Sequence, residues 1–238
     1  PEGKEDHPAM DVVETFVEPT ASEPTQLEIV DEAPGFDLVS YISRYSGYTK
    51  LVRLELIAQK CPGLREAAFQ LLAKEIREGV NTEAYYRNAA SIGALFPPTW
   101  AEEADLAARA EEERLEASVA AARASMAKEQ ARRSYTDLGK FLHRRGDLNG
   151  ALKALLRTRD YCSSPLQAGE SCALVVMVAL DLGNTMQVNS HVAKAEHSGG
   201  LEPATGAQLK AAAALTLLKN KDYKAAARKF IEAAEGLG

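Results

Sequence analysis

The sequence is poor in the residues that do covalent chemistry. Among 238 residues it has three cysteines, four histidines and one tryptophan. Cys61, Cys162 and Cys172 are odd in number and show no paired spacing, which points to buried thiols in a reducing compartment rather than a disulfide framework. His191 and His197 are six positions apart and so fall on different helix faces, not on the i,i+4 pairing of a metal site. Cys162 and Cys172 have nine residues between them and no second cysteine pair. No G-x-x-x-x-G-K-[ST] loop, strand–glycine-rich–helix unit or G-x-S-x-G elbow occurs. The adjacent carboxylates Glu102 and Glu103 read as helix-start charges, not an acid–base dyad. These absences predict no enzyme, no cofactor and no metal.

Long apolar runs are also missing. The best stretch, Cys172 to Leu180, is far too short to cross a bilayer. No secretory signal is recognisable, and a first residue of Pro1 rather than Met is what a piece of a longer or processed chain would show. β-Branched runs are scarce and alanine is abundant, so the expected fold is all-α.

What is present is a repeat. Gly146-Asp147-Leu148-Asn149-Gly150-Ala151-Leu152 is echoed by Gly183-Asn184-Thr185-Met186-Gln187-Val188 and by Lys221-Asp222-Tyr223-Lys224-Ala225-Ala226-Ala227. From Asp147 to Asn184 is 37 positions, and from Asn184 to Asp222 is 38. Each of these three residues is an N-cap candidate. Four residues on come Ala151, Val188 and Ala226; eight on come Leu155, Val192 and Phe230. Both offsets fall on one helix face, so a small residue admits the neighbouring helix and a larger one fills the space beyond. The antiparallel partners lie just upstream, at Tyr135 to Arg145, Cys172 to Leu182 and Ala207 to Lys219. The period exceeds the ~34 residues of tetratricopeptide repeats and the full consensus is lacking, so these read as diverged tetratricopeptide-like pairs in a helical-repeat solenoid. The competing reading is an ordinary helical bundle with coincidental turns.

The rest of the chain divides by composition. Residues 1–35 form an acidic leader; up to residue 36 there are ten acids against Lys4 alone, whereas the other 202 residues have 27 bases and 24 acids. With Pro8, Pro19, Pro24 and Pro34 the leader reads as a solvated tail, although Leu27, Ile29 and Val30 offer an apolar patch able to dock on the body or on a neighbour. Residues 36–98 read as helical hairpins: Asp37 to Tyr45 stopped by Gly47, Thr49 to Lys60, Leu64 to Glu78, and a helix capped by Asn81 or Thr82 that reaches Leu95 before Pro97-Pro98. From Thr99 to Leu138 there is no glycine or proline. A capping box of Thr99 with Glu102, early acids and late bases predict one long spine helix over 99–134. Residues 135–238 hold the three helix pairs.

One electrostatic feature stands out. Arg132, Arg133, Lys140, His143, Arg144, Arg145, Lys153, Arg157 and Arg159 fall within 28 positions. The partner-binding candidates among them are Arg144, Arg145, Lys153, Arg157 and Arg159, as a patch for an acidic protein or a nucleic acid. The alternative is helix-end complementation, with salt bridges to Asp137, Asp147 and Asp160; His143 then serves its helix dipole. Aromatics are not interleaved with the bases, which argues against direct nucleic-acid binding.

Several strings resemble a known family. Arg157-Thr158-Arg159-Asp160-Tyr161-Cys162, together with Phe36-Asp37-Leu38, Tyr45-Ser46-Gly47-Tyr48-Thr49-Lys50, Tyr135-Thr136-Asp137-Leu138-Gly139, Lys194-Ala195-Glu196 and Lys221-Asp222-Tyr223-Lys224, occur in the order found in the subunit-one family of the COP-nine signalosome, within the PCI-domain proteins. The resemblance implies a non-catalytic scaffold, found in nucleus and cytoplasm. Its partners would be other signalosome subunits and cullin–RING ligase components, with no membrane partner. It would support assembly and the regulation of Nedd8 removal, with the catalytic zinc in a different subunit and a PCI module beyond Gly238. The related proteasome-lid scaffold is the alternative within the same architecture, and a basic nucleic-acid-binding helical protein is the alternative from another class.

Overall fold

In a computed structural model, the structure describes residues 35–199 and 201–236. Those residues form eleven α-helices and no strand: α1 Leu38–Ile42, α2 Gly47–Lys60, α3 Arg65–Glu78, α4 Thr82–Ile92, α5 Trp100–Ala124, α6 Lys128–Arg145, α7 Leu148–Thr158, α8 Pro165–Asp181, α9 Thr185–Ser198, α10 Pro203–Lys219 and α11 Tyr223–Glu235. Single 3-10 turns follow α2, α4 and α7 at Pro62–Leu64, Gly93–Leu95 and Arg159–Tyr161. Sequential helices pack as pairs, most extensively α6 with α7, α8 with α9 and α10 with α11, and the pairs stack on one another. The fold is an all-α helical solenoid.

The repeat logic is visible atom by atom. Asp147, Asn184 and Asp222 each accept a hydrogen bond from the backbone N–H three residues on, at Gly150 (2.8 Å), Gln187 (3.1 Å) and Ala225 (3.1 Å). Ala151, Val188 and Ala226 are all buried, and so are Leu155 and Val192. The middle copy, weak as a string, matches the third as geometry. Just past α8 and α10, Gly183 and Lys221 lie in the left-handed region; the N–H groups of Gly183 and Asn184 donate to the Leu180 and Ala179 carbonyls, and those of Lys221 and Asp222 to the Leu218 and Leu217 carbonyls. This Schellman arrangement leads straight into the next N-cap.

Four expectations need correction. Phe230 does not fill space as Leu155 does; it is 38% exposed, because no described helix follows α11 to cover it. The spine helix ends at Ala124, short of residue 134. Ser125–Ala127 reverse the chain through another Schellman turn, with Met126 at φ 53° and Ala127 N–H bonded to Ala122 carbonyl at 3.2 Å. The gain that drives this reversal is tertiary: α6 folds back on α5, so that Leu115 and Val119 pack in one cluster with Leu138, Phe141 and Leu142. Thr99 makes no cap bond, since its own backbone is already helical (φ −88°, ψ −9°) and its hydroxyl cannot reach the first-turn N–H groups. Finally, Gly47 does not stop α1 but opens α2 at φ 58°, so Thr49 lies inside that helix, and α1 has already ended at Ile42.

Three apolar clusters fill the body. The first joins α1 to α4 and the Phe96–Trp100 turn, the second α5 to α8, and the third α8 to α10. Tyr48 of α2 and Val80 between α3 and α4 pack on the second cluster, tying the N-terminal hairpins to the stack. The apolar patch Leu27, Ile29 and Val30 lies outside the described residues.

Candidate functional site

The basic cluster that looks continuous in sequence is divided by the fold. Arg132 and Arg133 both clasp Glu129, at 2.8 Å each, and hold its carboxyl down at about 2, far below the ordinary carboxylate range. Arg145 is tied to Glu112 of α5. His143, expected to serve its own helix end, instead places Nε2 2.6 Å from Asp181 Oδ2 on α8, with the Tyr48 ring 5.7 Å away. Arg157 faces Asp160 loosely, at 3.9 Å between two exposed side chains. Lys140, Arg144, Lys153 and Arg159 are exposed and make no ion pair among the described residues. Only these four and Arg157 remain available to a partner.

Those five fall on two surfaces. Lys140 and Arg144, one helical turn apart, line a cleft of about 560 Å³ between α5, α6 and α8. Its floor is Leu115, Leu174 and Met177; its walls add Glu111, Arg114, Asp137 and His143. No residue of α7 enters it. Arg144 also lines a second cavity of about 230 Å³, shared with Gly47 and Leu51 of α2 and with Glu75, Glu78, Gly79, Val80 and Asn81. Lys153 and Arg157 lie instead on the exposed stripe of α7, opposite the buried Ala151, Ala154, Leu155 and Thr158. Arg159 follows on the next turn. Lys194 of α9 belongs with it, since both cations act on the same buried pair, Cys172 and His191. Sequence reasoning missed Lys194, which lies 35 positions from Arg159, because only the packing of α9 beside α8 brings it near.

A family model described as 26S proteasome subunit RPN7 matches residues 98–238, more than half of the chain. The chain belongs to this family. Named relatives extend the likeness beyond the matched region. COP9 signalosome complex subunit 1 of Arabidopsis thaliana is 34% identical over 212 residues, taking in 85% of this chain and 48% of the relative. The subunit 1 of Emericella nidulans is 31% identical over 221 residues, or 88% of this chain and 44% of the relative. Subunit 1b of Drosophila melanogaster is 26% identical over 268 residues, or 87% and 51%. The resemblance read from the strings therefore holds over most of the sequence, and the chain spans about half the length of the curated relatives it matches.

The string that marked the likeness turns out to be a packing device in this RPN7-family chain. Thr158 is buried; its hydroxyl donates to Leu155 carbonyl at 2.6 Å and is hydrogen-bonded to Ser171 of α8. Tyr161 stacks on Tyr135 of α6 at 5.7 Å, and Cys162 Sγ donates to Thr158 carbonyl at 3.4 Å. Thr158 thus joins the end of one helix pair to the start of the next, while Tyr161 and Cys162 fix the turn after α7 against its own pair. Arg157, Arg159 and Asp160 take no part in that join and face solvent.

Chemically the described residues are quiet. No group of three or more His, Cys, Asp or Glu side chains among them is placed to hold a metal. Burial pushes the Cys162 and Cys172 thiols up, away from the thiolate a nucleophile needs. His191 is 4% exposed with Nδ1 unpartnered, and burial, aided by Lys194 and Arg159, takes it down to about 4. No helix among the described residues is long and apolar enough to cross a membrane.

Proposed function

We propose that this chain is scaffold, not catalyst: the helical-repeat part of a signalosome subunit one, acting in nucleus and cytoplasm to support assembly and the regulation of Nedd8 removal from cullin–RING ligases. The observation that carries the reading is the 34% and 31% identity to signalosome subunit 1 proteins across most of the chain. Helix pairs with charged outer faces and no reactive cluster suit that role. Affinity purification of the full-length protein tests it: other signalosome subunits should co-purify in stoichiometric amount. A second reading, a scaffold of the proteasome regulatory-particle lid, is favoured by the description of the matched family model. In that case the same purification returns lid subunits instead. A basic nucleic-acid-binding protein would show affinity falling steeply with salt, and no binding at low salt removes that reading.

Within the scaffold, the α7 stripe of Lys153 and Arg157, continued by Arg159, contacts an acidic neighbour. Of the other two candidates, Arg145 serves an internal ion pair and Arg144 belongs to the cleft. The variant K153E/R157E/R159E should keep its helical circular dichroism and weaken complex assembly. Unchanged assembly and unchanged deneddylation would defeat the assignment.

A further inference from the structure

The N-terminal hairpins α1 to α4 meet the rest of the molecule along two seams of unlike character. The first runs beside α4 and is well fastened. Thr82 and Tyr86 both donate to the Asp105 carboxylate of α5, at 2.6 and 2.9 Å. Trp100, the first residue of α5, packs on Tyr85 and Phe96 with ring centroids 5.2 and 4.5 Å apart. The Asn81 amide lies against Gly146, where a β-carbon would come within 3.0 Å of its nitrogen and oxygen. The chain itself also crosses here, so α4 is held on the first two turns of α5.

The second seam is narrow. Among α1 to α3, α2 makes the main contact with the stack, beside α6. That contact centres on Tyr48, which rests on the second apolar cluster and meets the His143 imidazole at 5.7 Å. His143 Nε2 in turn lies 2.6 Å from Asp181 Oδ2 of α8. Three cavities border this chain of contacts. His143 lines the cleft of about 560 Å³. Gly47 and Arg144, the chain neighbours of Tyr48 and His143, line the cavity of about 230 Å³. A third, of about 370 Å³, has Thr49 facing Asp181, Leu215 and Lys219. Tight packing is what makes an interior resist separation, and a contact bordered by cavities lacks much of that resistance. Such seams are where sub-global opening takes least free energy.

We propose that α1–α4 form an arm hinged on the α4–α5 seam, and that Tyr48, His143 and Asp181 are the catch that holds it against the stack. This structure is the closed state. Opening parts α2 from α6 and α8, widens the 230 Å³ cavity and breaks the catch, while the bonds to Asp105 stay. The catch thereby sets the spacing between two exposed apolar stripes, Val52 and Leu56 on the face of α2 that Thr49 shares, and Leu215 and Leu218 of α10. The arm is independent of which complex the chain joins and of the α7 stripe.

Double electron–electron resonance on the whole 238-residue chain tests this. Spin labels enter through unnatural amino acids at Leu56 and Leu218, exposed residues of the arm and the stack, so the native cysteines stay in place. A second pair, at the exposed Met186 and Leu218, reports on the stack alone. The unaltered chain should give one dominant distance for the arm pair. Losing a hydrogen bond to a carboxylate shifts such an equilibrium about tenfold, so in H143L an open share of ~5% should become about one third, seen as a second, longer distance. Y48A should act in the same direction. The stack pair should keep its distance in both. T82V/Y86F, which strips Asp105 at the hinge but leaves the catch, should keep the arm pair at its closed distance. An arm pair unmoved by H143L or by Y48A would overturn the proposal. So would T82V/Y86F opening the arm as far as the catch variants do, or the stack pair broadening in step with the arm pair.

Discussion

Gly139 of α6 sits directly against Leu155 of α7: a β-carbon on Gly139 would lie 2.6 Å from Leu155 Cγ and 3.4 Å from the Ala151 carbonyl. The helices of the first pair approach this closely because one has no side chain where the other is fully buried. Gly139→Ala should therefore destabilise the chain by about 1–3 kcal/mol through overpacking. Leu155→Ala alone should cost about 2–5 kcal/mol through the cavity it leaves. The double variant should cost clearly less than the two together, since the added methyl enters the vacated space. Urea titration of all four proteins measures this; strict additivity would show that the two sites do not compete for the same volume.

Met126 and Lys221 hold left-handed backbone at φ 53° and 63° with ordinary side chains, and both are exposed. Glycine removes the β-carbon clash at such a position but adds entropy to the unfolded chain. The first effect should win, with Met126→Gly and Lys221→Gly each raising stability by about 0.5–1 kcal/mol. A loss of stability in either would mean that the turn gains more from its side chain than Met126, 89% exposed, suggests.

The three repeat caps should be of similar worth despite their unequal resemblance as strings. Asp147→Ala, Asn184→Ala and Asp222→Ala each strip the acceptor from one N–H bond of 2.8–3.1 Å. Each should cost about 1 kcal/mol. Thermal unfolding of the three variants compares them, and a neutral Asn184→Ala would single out the middle turn as held by packing alone.

His191 should make the chain acid-sensitive. Above its unfolded value, near 6.5, the imidazole is neutral in both states and stability is at its full value. As pH falls below that, the unfolded chain takes up a proton that the native state resists until about 4, so stability declines across this window. With burial this deep, the loss between pH 7 and 4.5 should be roughly 2 kcal/mol beyond that of His191→Gln. Denaturation midpoints at several pH values give the difference, and parallel curves for the two proteins would contradict it.

Much of the architecture was legible because it is written in local rules. Asn81, Asp147, Asn184 and Asp222 act as caps because a carboxylate or amide three residues before a bare N–H group satisfies it whatever surrounds the helix. Ala151, Val188 and Ala226 are buried because helical spacing alone sets the face they share. The end of α5 was not legible, since Ser125-Met126-Ala127 contains no residue that favours a reversal. The candidate site fared in the same way. That Arg144 is available and Arg145 is not follows from a one-residue rotation about α6, which turns one towards solvent and the other towards Glu112.

By itself, then, the sequence determined the helical class, the three repeated caps, the shortage of reactive side chains and the family likeness, all of which depend on residues close in the chain or on composition. The tertiary structure decided where α5 turns back, that His143 joins Asp181, and that a single run of bases becomes a cleft wall and an outer stripe. Those outcomes depend on contacts between helices 16 to 38 positions apart, such as Ser118 with Ser134 and His143 with Asp181. Burying apolar faces between α5, α6 and α8 outweighs what any local propensity prefers at the turn.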